Sequence, residues 1–406
     1  RCINGTVITA PPTPISDAVT GSGIGGSNAW GVAGSRTASG AAQIAGDPHR
    51  FLELPGIYVQ CHLVSDEFDV VGFAFAGVPG VPHFAHTGDV AWGITNAMAD
   101  VQDVYIERLT RVGDRIVAQS SDGDVVAQSW TDRIDVRDAD PVDCEVVVTP
   151  NGSVIVGGPD DPMALALRSP LLDDEDTTFD AVLDLLFAQS IPDVEHALRG
   201  WVEPVNRVVV GDVSGRVTPH LAGVLPDRHA DNYWLPVPGW TAEHRWTGRR
   251  PMTLDETRPA DVAEFTVISN QRTADAAELQ PVATECVPPH RADRIATLLS
   301  WRTDLDTGDS VRIQRDHLLD DREALLRMLS RIHGLSAPGR LLVDRLLAWD
   351  RVMDADSTEA YLYAEVRAHL VRGLARSPGL APLARRHPFP AVFDPWFVAL
   401  PRVAAA

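Results

Sequence analysis

Residues 20–50 read TGSGIGGSNAWGVAGSRTASGAAQIAGDPHR, and the interpretation of the whole chain turns on Ser27 within them. Glycine crowds positions 20–26, and within two residues of Ser27 the chain becomes apolar enough for a buried strand. Gly21–Gly26 (GSGIGG) has the spacing of a dinucleotide fingerprint, but PPTPISDAVT before it holds three prolines and cannot be the central strand that such a site requires. A flexible linker over residues 3–26, rich in Pro, Gly, Ser and Thr, is the simpler reading. A second reading gives Ser27 a task. A serine hydroxyl is a poor nucleophile at neutral pH unless a base lies within hydrogen-bond reach. Cutting the Gly26–Ser27 bond would free an α-amine, which titrates at about 7.7–8.0 in peptides and can take the hydroxyl proton. One residue then supplies nucleophile and base, and the glycines let the chain bend so that Ser27 reaches its own preceding carbonyl.

The 406 residues are 45% hydrophobic, enough for a sizeable core and for an expectation of two or three domains. No stretch has the length and apolarity of a membrane span, and residues 1–20 lack the basic-then-apolar layout of a signal peptide. The first residue is Arg1, and the tail HPFPAVFDPWFVALPRVAAA (387–406) has no helix cap or polar ending, so the sequence is expected to be incomplete at both ends. A net charge of −21 argues against nucleic acid or an anionic membrane surface as a partner. The chain has no lysine, which excludes the phosphate-binding P-loop and any catalytic-lysine mechanism. Cys2, Cys61, Cys144 and Cys286 show neither C-x-x-C pairing nor zinc-ligand spacing and are compatible with two disulfides or none. No serine has the G-x-S-x-G context of an α/β-hydrolase nucleophile, and no H-E-x-x-H is present. His83 and His86 would share a metal only if VPHFAH bent sharply; as loop or core histidines they need none.

From residue 27 to about 270 the texture is mostly β. GDRIVAQSSDGDVVAQSW (113–130) reads as strands around Asp122-Gly123, and RVVVGDVSGRVTPHLAG (207–223) as a hairpin around Ser214-Gly215. CEVVVTPNGSVIVGG (144–158) is a stronger hairpin, with Asn151-Gly152 expected as a type I′ turn. Helical spacing interrupts at TTFDAVLDLLFAQS (177–190) and IPDVEHALRGW (191–201), where Pro192 sits near a helix start. Residues 290–376 read as mostly helical, giving a β-rich body with a helical appendix.

Five separated blocks share one order with a known family: GSNAWGVAGSRTASGAAQIAGDPHR, FAHTGDVAWGITNAMADVQDVYIERL, NRVVVGDVSGRVTPHLAGVLPDR, VISNQR and RADRI. Over roughly residues 22–320 the chain resembles the nucleophile-bearing β chain of the penicillin acylase family of N-terminal-nucleophile (Ntn) hydrolases. The resemblance implies an α+β fold, an αββα sandwich of mostly antiparallel sheets, and an amidohydrolase that acts through an acyl-serine intermediate. It puts the nucleophile on Ser27 and its orienting partner on His49. The two oxyanion donors fall on the Asn96 backbone N–H and the Asn270 side chain, and the arginine that supports that asparagine and the α-amine falls on Arg294. Two preorganised donors suit the charge that a tetrahedral intermediate gathers on one oxygen, and a nearby cation keeps the amine neutral and able to act as base. Taken one at a time, these residues also fit a turn histidine, a strand-end asparagine and a surface arginine.

The acyl pocket falls on Phe84 and Ile94. Arg50 stands where relatives often carry an apolar residue, and it either points to solvent or meets a carboxylate on the substrate's acyl end. No cofactor is implied for the chemistry. A structural calcium is, held by the Asp100 and Asp103 carboxylates and the Gln102 and Tyr233 carbonyls, with Glu285 a poor candidate for a further ligand. Residues 1–26 would be precursor linker, too short for the family's first chain, which would be the partner of residues 27–406 alongside a small N-acyl substrate. A secreted or periplasmic location goes with the resemblance. Penicillin- or cephalosporin-type antibiotics and N-acyl-homoserine lactones both suit the chemistry as substrates. The competing class is a non-catalytic binding or structural module on the same sandwich.

Overall fold

The computed structural model describes residues 2–3, 6–7, 26–49, 56–173, 179–252, 264–273, 282–284, 286–319 and 324–380. Arg50, Glu285 and most of the 1–26 linker lie outside the described residues. Ten strands build the sandwich: β1 (Gly26–Val32), β2 (Gln43–His49), β3 (Tyr58–Val64), β4 (Asp69–Phe75), β5 (Phe84–His86), β6 (Val90–Asn96), β7 (Asn206–Asp212), β8 (Val217–Asp227), β9 (Gly248–Met252) and β10 (Phe265–Ile268). One sheet has the order β10-β1-β2 and the other β9-β8-β7-β6-β5-β4-β3, with every pairing antiparallel.

The side-chain period of two sorts each strand between layers. On β1, Trp30 and Val32 pack with Ile295, Leu299 and Ile313 of helices further along the chain, while Ala29 turns the other way to meet Val209, Val217 and Phe84. On β6, Val90, Trp92 and Ile94 bury against Val182, Leu185, Val194 and Leu198. These last four belong to α1 (Phe179–Leu186) and α2 (Ile191–Leu198), and the helices opposite are α3 (His290–Ser300) and α4 (Thr307–Gln314). The result is the four-layer order helix, sheet, sheet, helix. The two sheets approach closely at Gly31, where an added Cβ would lie 2.5 Å from Val217 and 2.6 Å from Val209.

The appendix follows as α5 (Ala324–Leu329), α6 (Ala337–Ala348) and α7 (Thr358–Ala375), with a small core of its own around Leu325, Leu329, Leu346, Trp349 and Tyr363. Among the described residues, no helix is long and apolar enough to cross a membrane. Between β6 and α1 the chain builds five strands of a further six-stranded sheet, which runs from the exposed strand Gln128–Ile134 to the largely buried strand Asp103–Glu107 and takes its last strand, the short Val237–Pro238, from beyond β8. The 144–158 hairpin belongs to it but turns one residue earlier than expected. Thr149 pairs with Gly152, so Pro150 and Asn151 form the turn, and Asn151 is not among the residues with positive φ. Proline fixes its own φ near −65°, which rules out the type I′ geometry there. Asn151 instead sends its side-chain amide inward to Glu107 (3.0 Å) and the Gly239 carbonyl (3.1 Å).

Candidate active site

Ser27 lies at the start of β1, buried, with Pro48 of β2 opposite it. Its peptide N–H donates to Asn270 Oδ1 at 2.6 Å, and Asn270 Nδ2 donates to the Asn96 carbonyl at 2.8 Å. One amide side chain therefore ties the serine to the end of β6. Asn270 is 1% exposed and sits at φ +63°, a left-handed conformation that asparagine tolerates better than most residues. The neighbouring Gln271 faces elsewhere and braces the turn, accepting from Ser269 N–H and donating to Val267 C=O. Asn96 itself is exposed, and its Oδ1 accepts from Met98 N–H (2.6 Å). Ala97 N–H bonds Val205 C=O on the β7 side, so by strand alternation the Asn96 N–H faces the opposite side, beyond the end of β5.

The guanidinium at the serine belongs to Arg291, correcting the expectation of Arg294. Arg291 Nη1 donates to the Ser27 carbonyl (2.9 Å) and to Asn28 Oδ1; its Nη2 donates to Ser269 C=O (2.7 Å) and Asn270 Oδ1 (3.1 Å). Arg294 comes three residues later on α3, nearly one turn along the helix, and it pairs with Asp316 at 2.9 and 2.6 Å. Burial pulls the Arg291 guanidinium below its ordinary value, against the opposing pull of the Asp47 carboxylate. An arginine remains charged through such a shift. Gly26 makes room for it: at φ +141°, a Cβ there would lie 2.8 Å from Arg291 Nη2 and 3.2 Å from Asn270 Oδ1.

His49 pairs across the sheet with Gly26, on the helix-facing side of β1–β2, whereas the Ser27 side chain shares the sheet-facing side with Ala29. The expected direct partnership of His49 with Ser27 gives way to a relay. His49 Nε2 meets Asp47 Oδ2 (2.8 Å), Asn28 Nδ2 donates to Asp47 Oδ1 (2.9 Å), and Asn28 Oδ1 accepts from Arg291. A cleft of about 740 Å³ opens on this side, lined by Asn28, Asp47, His49, Arg291, Arg294 and Asp316 among others. It lies behind the serine's strand.

Phe84 lies on the serine's side, between the two sheets. A Cβ added at either Gly46 or Gly93 would stand 2.7 Å from its ring. Ile94 does not share that face. The alternation that points Gly93 inward sends Ile94 into the core beneath α1 and α2, which removes it from the expected pocket. Thr95 returns to the inner face, 1% exposed, and its Oγ1 has no hydrogen-bond partner among the described residues. Asn28, Asp47, Thr95 and Arg291 were not singled out from sequence; only strand register and helix rotation reveal them.

The residues expected to bind calcium do come together, but around a cation that the chain already carries. Arg228 lies among Asp100, Gln102, Asp103 and Tyr233, so their donor set does not fit a metal ion.

Comparison with known proteins agrees with this architecture. The sequence model of the family described as penicillin amidase matches residues 6–404. A penicillin acylase 2 proenzyme of Pseudomonas sp. (strain SE83) is 38% identical over 374 residues, covering 91% of this chain and 47% of the relative. An acyl-homoserine lactone acylase QuiP of Pseudomonas aeruginosa is 26% identical over 367 residues, covering 84% of this chain and 43% of the relative. The chain thus spans less than half the length of these relatives. Among solved structures, a thermostable penicillin G acylase from Alcaligenes faecalis superposes with a TM-score of 0.70 at 17% identity, covering 89% of this chain and 67% of that one. The four-layer sandwich is therefore the Ntn-hydrolase fold, and the chain belongs to the penicillin amidase family.

Proposed function

We propose that this chain is the nucleophile-bearing part of an N-acyl amidohydrolase that matures by breaking its own Gly26–Ser27 bond. The observation that carries the reading is the junction itself. The Ser27 nitrogen is held by Asn270 and its carbonyl by Arg291, and the residue before it is a glycine in a conformation that side chains rarely adopt. In maturation, Ser27 Oγ attacks the Gly26 carbonyl and the C–N bond breaks. The acyl group moves to oxygen as an ester while the nitrogen takes up the hydroxyl proton. Water then hydrolyses that ester, releasing the upstream chain as a carboxylic acid and leaving Ser27 with a free amine.

In turnover the amine accepts the Oγ proton as Oγ attacks the substrate amide. The oxyanion is met by the Asn96 N–H and by the second Nδ2 hydrogen of Asn270, the first being committed to the Asn96 carbonyl. The amine gives its proton to the leaving nitrogen, and water repeats the sequence on the acyl-serine to release the acid. Arg291 holds the serine backbone and Asn270 Oδ1 in place, while Asp47 and His49 steady Asn28 beneath it. Phe84 floors the acyl site. The relatives' names support penicillin-type and N-acyl-homoserine lactone amides as the substrate classes to try, and the word proenzyme supports a first chain of the same precursor as partner.

Intact-mass analysis of the full-length precursor tests the reading. Two chains are expected, the second beginning Ser-Asn-Ala-Trp, with Ser27→Ala remaining uncut. A wild-type chain that never splits would favour a binding module instead.

A further inference from the structure

The segment between β6 and the six-stranded sheet, residues 97–102, leaves from Asn96 and is gathered around one buried side chain. Arg228, the residue after β8, has no exposed side-chain surface. Its Nη1 donates to Asp103 Oδ1 and lies 3.5 Å from the Gln102 carbonyl; its Nη2 donates to the Asp100 carbonyl (2.5 Å) and to Asp100 Oδ1 (2.9 Å). The guanidinium carbon stands 4.1 Å from the centre of the Tyr233 ring. The other carboxylate oxygens are also engaged. Asp103 Oδ2 accepts from Asn232 Nδ2 (2.8 Å) and Trp246 Nε1 (2.6 Å), and Asp100 Oδ2 accepts from Thr284 Oγ1 (3.3 Å).

A calcium ion wants about six to eight oxygens at roughly 2.3–2.6 Å. Here the Asp100 and Asp103 carboxylates and the Gln102 carbonyl already face N–H and O–H donors, and a second cation would sit against the guanidinium. Among the described residues no group of three or more His, Cys, Asp or Glu side chains could hold a metal ion.

We infer that Arg228 is a built-in cation standing where a divalent metal would otherwise bind, and that it fixes the 97–102 segment that follows Asn96 without any added ion. The link to the Asn96 oxyanion donor rests on the function proposed above, whereas the metal independence does not. The full-length protein is melted with and without a chelator and with millimolar calcium, alongside Arg228→Ala, and its bound metal is measured. Wild type is expected to hold no stoichiometric calcium and to melt within about 1 °C of itself in all three conditions. Arg228→Ala is expected to melt roughly 5–10 °C lower, because two carboxylates lose their buried partner, and to recover part of that loss in calcium. A wild type that contains calcium or is destabilised by chelation overturns the inference, as does an alanine variant that melts like wild type. If Arg228→Ala does not fold, the wild-type metal content and chelator response decide the matter, and Arg228→Lys keeps a positive charge in the variant series. All these readouts are independent of whether the protein cleaves amides.

Discussion

At the scale of single residues, the site is a contest between two arginines on one helix. Arg291 and Arg294 are three positions apart, and composition gives no reason to prefer either. Only the rotation of α3 against β1 puts the first on the Ser27 carbonyl and the second on Asp316. Arg291→Ala is therefore expected to stop chain cleavage or to slow it and amide turnover by at least about a hundredfold, a loss on the scale of removing one oxyanion donor. Arg294→Ala should leave cleavage intact and cost about 1 kcal/mol for a partly exposed ion pair. Gel analysis of precursor processing alongside a urea melt separates these outcomes. Gly26→Ala should also block cleavage, because its Cβ would displace Arg291 and Asn270. The resemblance pointed to Ser27 and Asn270 because each sits in a distinctive short block, and the fold brings the two within hydrogen-bond reach. Asn28 and Asp47 were not legible in the sequence, since their roles arise from facing each other across two strands.

At the scale of elements, periodicity revealed several of the hairpins and helices, but less of how they turn and face. The helices at Phe179–Leu186 and Ile191–Leu198 follow from spacing of three and four. The 144–158 hairpin was visible, yet its turn lies on Pro150-Asn151 because proline and the buried Asn151 amide override the preference for Asn-Gly. Ile94 looked like a pocket residue, but a one-residue step along a strand changes the face, and Gly93 holds the inner position. The inter-sheet gap supplies a prediction. Gly31→Ala would push a methyl to 2.5 Å from Val217 and 2.6 Å from Val209, and is expected to cost about 1–3 kcal/mol in an equilibrium urea denaturation. A variant as stable as wild type would mean the sheets have room to part there.

At the scale of the whole molecule, the order of the sheets could not be deduced from local pattern, because β10 comes some 240 residues after β1 yet pairs directly with it. The family resemblance supplied the four-layer sandwich but not that pairing. A property spread across the fold is its response to acid. His220 on β8 is buried, bonded to Thr218 Oγ1 (2.8 Å), and burial lowers its pKa to about 4. The unfolded chain binds this proton below about 6.5 and the folded one only near 4, so the neutral ring contributes its full stability above pH 6.5 and loses it as pH falls toward 4. The loss is on the order of 3 kcal/mol. His220→Asn should flatten the fall in urea midpoint between pH 6.5 and 4.5; an unchanged slope would place the acid sensitivity elsewhere. The central claim, that Ser27 attacks as a chain terminus, is tested most directly by acid-quenching the mature enzyme during turnover of a slow N-acyl substrate and mapping the acyl group by peptide mass. The account predicts an acyl ester on the hydroxyl of an N-terminal Ser27. An acyl group on any other residue, or turnover by protein whose Gly26–Ser27 bond is intact, would contradict it.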